Sequence, residues 1–420
     1  MFPKIRCVRQ EIKLSSINQI EPIIKKKLEK FNLKAFINPK DTVAITGSSR
    51  GIKDQDIILK VLVKYIKKSG GLPFVFPAMG SHGGATAQGQ IRILQEYGIT
   101  EERIGCPIKA SMEVTEIAKN EFGSPIYVDK FAASADKIIL INRIKNHSKF
   151  IGEVESGLSK MCVVGLGKHK GAKNYHRLID RHSWRKVVDS LMKIIIKKLP
   201  ILCGIGLIQN NHNEISEIHI LSPAEFSTKE PKLLKRYKNL TEKLPFNDID
   251  LLIVDEMGKN IFGTGMDTMV TGRKPGSKTR VQWLFVRDLS KETHGNAQGI
   301  GLADFTTKRL VDKIDFTQTY LNALTAYRTD SPKIPIFFKN DMKVLENVFD
   351  LFGKDNLSTF KLVWIKNTLE LEKLIVSEAL FKEVEKTEIL NFMKNEEQLE
   401  FDADGFLTNS EEIWGENRKI

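Results

Sequence analysis

The sequence predicts an α/β protein of two α/β domains, each with a mostly parallel sheet, and an active site in the interdomain cleft. Three observations predict it. The chain has 420 residues, more than one hydrophobic core normally serves. Short β-branched runs alternate with amphipathic stretches in both halves, the pattern of βαβ units. The polar, glycine-bearing segments fall directly after strands, at the edge where open α/β sheets bind ligands.

The elements follow in order. Thr42–Thr46 is a short β-branched strand, and the amphipathic stretch from Asp54 to Lys68 is a helix stopped by Gly70 and Gly71. Pro73–Ala78 reads as the next strand and Thr86–Tyr97 as a helix ended by Gly98. Lys137–Asn142 is a buried-type strand, Trp184–Lys198 a helix, and Ile201–Ile208 and Glu217–Leu221 two further strands. The charged stretch Pro231–Asp248 loses its apolar stripe after Leu240 and contains Pro245, so domains of 1–244 and 245–420 are expected. A second series then gives strands at Ile249–Val254, Val281–Val286, Ile334–Phe338 and Phe360–Ile365, and the acidic tail Asn395–Ile420 reads as peripheral.

Composition narrows the class. A chain 41% hydrophobic and 28% charged is an ordinary globular protein. No apolar run approaches the ~20 residues of a membrane span. The start, Met1 to Leu14, mixes Lys4, Arg6 and Arg9 with Glu11 and does not resemble a signal peptide, so a cytoplasmic protein without a membrane partner is expected. Cys7, Cys106, Cys162 and Cys203 lie far apart, against a disulfide framework or a cysteine zinc site. Much of the net charge of +13 sits in helix-like lysine runs and reads as solvated helix faces that also suit an anionic ligand. With no zinc-finger spacing and no aromatic RNA-binding motif, no nucleic-acid partner is expected.

Five segments carry polar residues where ligands bind. Thr46-Gly-Ser-Ser-Arg-Gly-Ile52 mimics a dinucleotide turn, but Lys53 replaces the third glycine and no Tyr-x-x-x-Lys occurs. Arg50 reads instead as a carboxylate anchor, because guanidinium binds carboxylate bidentately. Ala78-Met-Gly-Ser-His-Gly-Gly-Ala-Thr86 places His82 at a strand-to-helix junction where glycines allow close backbone approach. Asn142 to His176 holds His147, Lys160, His169 and His176 among five glycines, and satisfies neither the P-loop template nor an H-E-x-x-H helix. In the second half, Val254 to Arg273 offers Lys259 and Arg273, and Thr293-His-Gly-Asn-Ala-Gln298 is another polar loop. For these last two, ordinary turn chemistry is the competing reading.

Taken together, the M-G-S-H-G-G-A-T and E-S-G-L-x-K-M motifs, the Asp255–Arg273 loop and the T-H-G-N-A segment resemble a divergent branch of the nickel-pincer lactate racemase family. The resemblance runs from about residue 40 to about residue 340. It implies two α/β domains and a nickel pincer nucleotide: a pyridinium mononucleotide, derived from nicotinic acid, whose thioamide and thiocarboxylate groups hold nickel. It further implies Lys160 as the tethering lysine, His176 as the nickel ligand, His82 and His147 as two acid–base histidines, and Arg50 as the substrate anchor, with Lys259 a second substrate contact. The expected activity is racemisation or epimerisation of a small-molecule 2-hydroxy acid by hydride transfer to and from that cofactor. Two histidines suit this, since each enantiomer presents its hydroxyl differently and imidazole titrates near neutrality. Expected partners are the cofactor-maturation proteins: a carboxylase, a sulfur insertase and a nickel insertase. The chain departs from the racemase pattern at Gly47, where an acidic residue is usual, and in the surroundings of Lys160. These departures keep open a cofactor carrier without racemase activity, and Thr46–Ile52 a nicotinamide-dependent oxidoreductase.

Overall fold

The computed structural model describes residues 2–12, 15–48, 52–147, 150–210, 212–241 and 243–414. The chain forms two compact units. The first comprises Leu14–Thr241 with Leu324–Tyr327; the second comprises Met1–Lys13, Glu242–Ala323 and Arg328–Ile420.

In the first unit a five-stranded sheet runs in the order Leu72–Pro77, Thr42–Gly47, Lys137–Arg143, Ile201–Gln209, Ile215–Leu221. The first four strands are parallel and the last is antiparallel. Both faces are covered, which is why these strands are near-continuous apolar runs. Along Lys137–Arg143 the side chains alternate: Ile138 and Leu140 join the core on one face, Ile139 and Ile141 that on the other. The helix Gln55–Lys68 buries Ile58, Leu59, Leu62 and Ile66 on one side, leaving Lys60 and Lys67 in water. Trp184–Lys198 is helical over the predicted span and buries Val187, Val188, Leu191 and Ile195. A separate hairpin pairs Val114–Lys119 with Pro125–Asp129.

The second unit is built on an eight-stranded sheet. Ile336–Phe338, Phe305–Thr307, Arg280–Leu289, Asp248–Met257 and Leu362–Ile365 are parallel neighbours in that order. Lys373–Ser377, Ile5–Gln10 and Leu390–Phe392 extend it antiparallel. The fold class is therefore α/β with mixed, mostly parallel sheets.

Two expectations are corrected. Residues 1–13 belong with the second unit, because Ile5–Gln10 pairs with Lys373–Ser377, Cys7 opposite Ile375. No local pattern marks a pairing between the two ends of a chain. The tail is not peripheral either: Leu399, Leu407 and Ile413 are buried, and Trp414 Nε1 donates to Asp255 Oδ2 at 2.8 Å. Beneath it Arg287 spans two buried carboxylates, Asp255 at 2.6 Å and Asp341 at 2.5 Å. Among the described residues, no helix is long and apolar enough to cross a membrane.

Candidate functional site

Lys160 ends a short helix, Leu158–Lys160, which passes directly into a π-helical turn, Met161–Gly165. Such turns cost regular hydrogen bonding and cluster at functional sites. What fixes the start of this segment is Glu230, which stands 70 residues further along the chain on the helix Phe226–Leu240. Its Oε2 accepts the Ser159 N–H at 3.0 Å and the Ser159 hydroxyl at 2.6 Å. Glycine is required at 157, since a Cβ there would collide with Glu230 Oε1. Glu230 is fully buried, and burial pushes its carboxyl up to about 7, against the Ser159 hydrogen bonds that pull it down. The E-S-G-L-S-K motif is thus one half of a lock, and Glu230, hidden in a charged helix, is the other.

Four aromatic rings gather beside it. Phe150 is sandwiched between His147, at 4.1 Å and 10°, and Trp184, at 4.0 Å and 6°. His176 flanks the same phenyl ring at 5.7 Å. Two imidazoles 29 positions apart in sequence therefore share one neighbour. Trp184 is held by Nε1 donating to the Val154 carbonyl at 2.6 Å. The His147 backbone N–H donates to Glu155 Oε2 at 2.8 Å, and Glu155 Oε1 accepts from Lys238 Nζ. His147 Nδ1 accepts the Phe150 N–H at 3.2 Å, which assigns the proton of the neutral ring to Nε2. His176 rides on the helix Lys168–His182, anchored by Tyr175, whose hydroxyl accepts the Tyr127 N–H at 2.7 Å and donates to the Tyr127 carbonyl at 3.0 Å.

The same helix braces the loop that carries His82. At its first residue, Lys168 is wholly buried and donates from Nζ to the Pro77 carbonyl at 2.8 Å and to Gln90 Oε1 at 2.6 Å. Gln90 Nε2 in turn donates to the carbonyls of Gly80, at 2.9 Å, and His82, at 3.3 Å. Burial pulls the Lys168 ammonium down to about 8, opposed by Asp129 at 3.7 Å. Within the loop, Gly83 has φ +64° and lies against the backbone of Gly89, so a side chain there would meet both strain and collision.

The remaining predicted residues stand elsewhere. Arg50 lies outside the described residues. Gly47 ends the strand Thr42–Gly47, where a Cβ would stand 3.0 Å from Leu94 and 3.2 Å from Val75; packing accounts for the missing acidic side chain. Lys259 belongs to the second unit, where its Nζ donates to the Gly263 carbonyl of its own loop at 2.7 Å. Arg273 bonds the Leu302 and Val281 carbonyls and Asp304, which makes it a brace of its unit. Among the described residues no cluster of three or more His, Cys, Asp or Glu is placed to hold a metal ion. His147, His176, the Lys160 turn and the His82 loop all belong to the first unit. Sequence reasoning missed Glu230, Lys168, Gln90 and the Phe150–Trp184 stack. An advance signal was the aromatic Phe150 three residues after His147.

Comparison with known proteins bears on this unit. Residues 5–187 match the family model of the lactate racemase N-terminal domain. No curated protein matches the chain. Among solved structures, the lactate racemase apoprotein from Thermoanaerobacterium thermosaccharolyticum is similar at 14% identity and a TM-score of 0.49, over 81% of this chain and 87% of that one. A structural-genomics protein from Thermotoga maritima gives 11% identity and a TM-score of 0.51, over 78% of this chain and 89% of that one; it shares the fold.

Proposed function

From the premise that this chain is a lactate racemase-like family member, we propose that it inverts a 2-hydroxy acid at C2, with a nickel pincer nucleotide tethered to Lys160. The observation that carries the proposal is the grouping of His147 and His176 around Phe150, within the unit that holds the Lys160 turn.

The donor set fits that cofactor. Lys160 offers an amine on a segment fixed by Glu230, and His176 offers one imidazole, a ligand that suits nickel. A single protein ligand suits a cofactor that brings its own sulfur and carbon donors. When bound, this cofactor supplies a carbon that takes up hydride from C2 and returns it to either face.

The protein's share is proton handling and orientation. With Nδ1 accepting the Phe150 N–H, a neutral His147 ring carries its proton on Nε2 and hydrogen-bonds the C2 oxygen; handing that oxygen a proton takes the doubly protonated ring. His82 is then the base that removes the hydroxyl proton of the opposite enantiomer. Exchanging the two roles requires His147 to move its proton to Nδ1 and give up the Phe150 N–H, at a cost of about 1 kcal/mol. Arg50 holds the substrate carboxylate while C2 becomes planar, and Lys259 is a second contact to the substrate. Cytoplasmic residence and service by a carboxylase, a sulfur insertase and a nickel insertase belong to the same proposal.

The test uses protein matured with those three enzymes and single enantiomers of 2-hydroxy acids deuterated at C2. Inversion with the deuterium retained at C2 is expected. Inversion with loss of the label to water overturns the hydride route. Nickel bound with no inversion of any acid in the series favours the carrier reading.

A further inference from the structure

A cavity of about 440 Å³ opens in the first unit beside the site just described. That volume lies within the range of small-molecule pockets. One wall is a stripe of the helix Trp184–Lys198, made by Trp184, Val188, Met192 and Ile196 at helical spacing. Pro223 and Ala224 face it, and Ser159 also lines it. The cavity reaches Trp184 but not Phe150 or His147. It is therefore separate from the imidazoles, yet joined to them through the stack and to Lys160 through Ser159.

The charges at this pocket are unequal in availability. Arg185 is already engaged, by Asp189 at 2.6 Å and Glu153 at 2.6 Å. Lys193, exposed and lining the cavity, is paired with no described carboxylate. A ligand thus meets an apolar wall and one available cation.

We propose that this cavity is a second ligand site, for a monocarboxylic acid with an apolar chain, whose tail packs on Trp184 and Met192 and whose carboxylate meets Lys193. A bound acid touches Trp184, which stacks on Phe150, and Ser159, which precedes Lys160 and is held by Glu230. The proposal does not rest on the racemase reading, because the site is complete in the cofactor-free chain.

The experiment titrates the full cofactor-free chain with octanoate, and with 1-octanol as the neutral probe, by calorimetry. Saturable one-to-one binding of octanoate is expected. Lys193→Met weakens octanoate about fivefold, the size of an exposed ion pair, and leaves 1-octanol unchanged. Ala224→Trp, at an exposed position, fills the mouth and abolishes binding of both. Non-saturable binding of octanoate, binding unaffected by Ala224→Trp, or equal weakening of both probes by Lys193→Met overturns the proposal.

Discussion

Replacing Glu230 by Gln gives a prediction whose size follows from the structure. The carboxyl is 1% exposed and receives two hydrogen bonds from Ser159, both of which a Gln carbonyl can accept. Burial raises its folded value from 4.5 to about 7. Folded above unfolded means that, between these values, the native state binds a proton the unfolded chain has released. Stability from this group is therefore fully present below about pH 4.5 and is lost as pH rises through about 7. The loss is about 3 kcal/mol at 1.36 kcal/mol per pH unit. Gln does not titrate, so Glu230→Gln gains about 3 kcal/mol on wild type between pH 4.5 and pH 8. Any cost of the amide N–H groups is the same at both values and cancels. Urea unfolding followed by hydrogen-exchange mass spectrometry on peptides covering 156–166 reads this unit alone. A stability difference that does not change with pH refutes the reasoning.

Other predictions follow from the same geometry. His147→Ala and His82→Ala each lower turnover by about 10²- to 10⁴-fold while the mass increment on Lys160 persists; loss of the increment in either variant assigns a structural role instead. Lys168→Met removes the donor to Pro77 and Gln90 and loosens the His82 loop, read as faster hydrogen exchange across 78–86. In wild type the depressed Lys168 value makes stability rise with pH from about 8 toward 10.5, a rise absent from Lys168→Met. Arg287→Leu strands the buried carboxylates of Asp255 and Asp341 and destabilises the second unit by about 3–5 kcal/mol, measurable by urea denaturation.

The fold was legible where burial imposes pattern locally. Strands covered on both faces are continuous apolar runs, and the helix Trp184–Lys198 shows an unbroken 3.6-residue stripe, so both can be read from neighbours in sequence. The strand Ile5–Gln10 and the tail around Leu407 depend on partners hundreds of residues away, which periodicity does not encode. The site divides in the same way. His147, Lys160 and His176 stand in a glycine-dense stretch that draws notice. Glu230 and Lys168 resemble every other charge in a chain with 65 lysines and arginines. Their importance comes from burial, and burial of a lone charge is a tertiary property. Gly157 and Gly83 carried a partial signal, each marking a place where backbone meets a neighbour too closely for a side chain.

The most direct test of the account is peptide mass spectrometry of the full chain after co-expression with the carboxylase, sulfur insertase and nickel insertase. The account predicts a mass increment confined to the peptide bearing Lys160, with nickel bound in wild type and lost in His176→Ala. An unmodified Lys160, under conditions that mature an authentic lactate racemase, contradicts it.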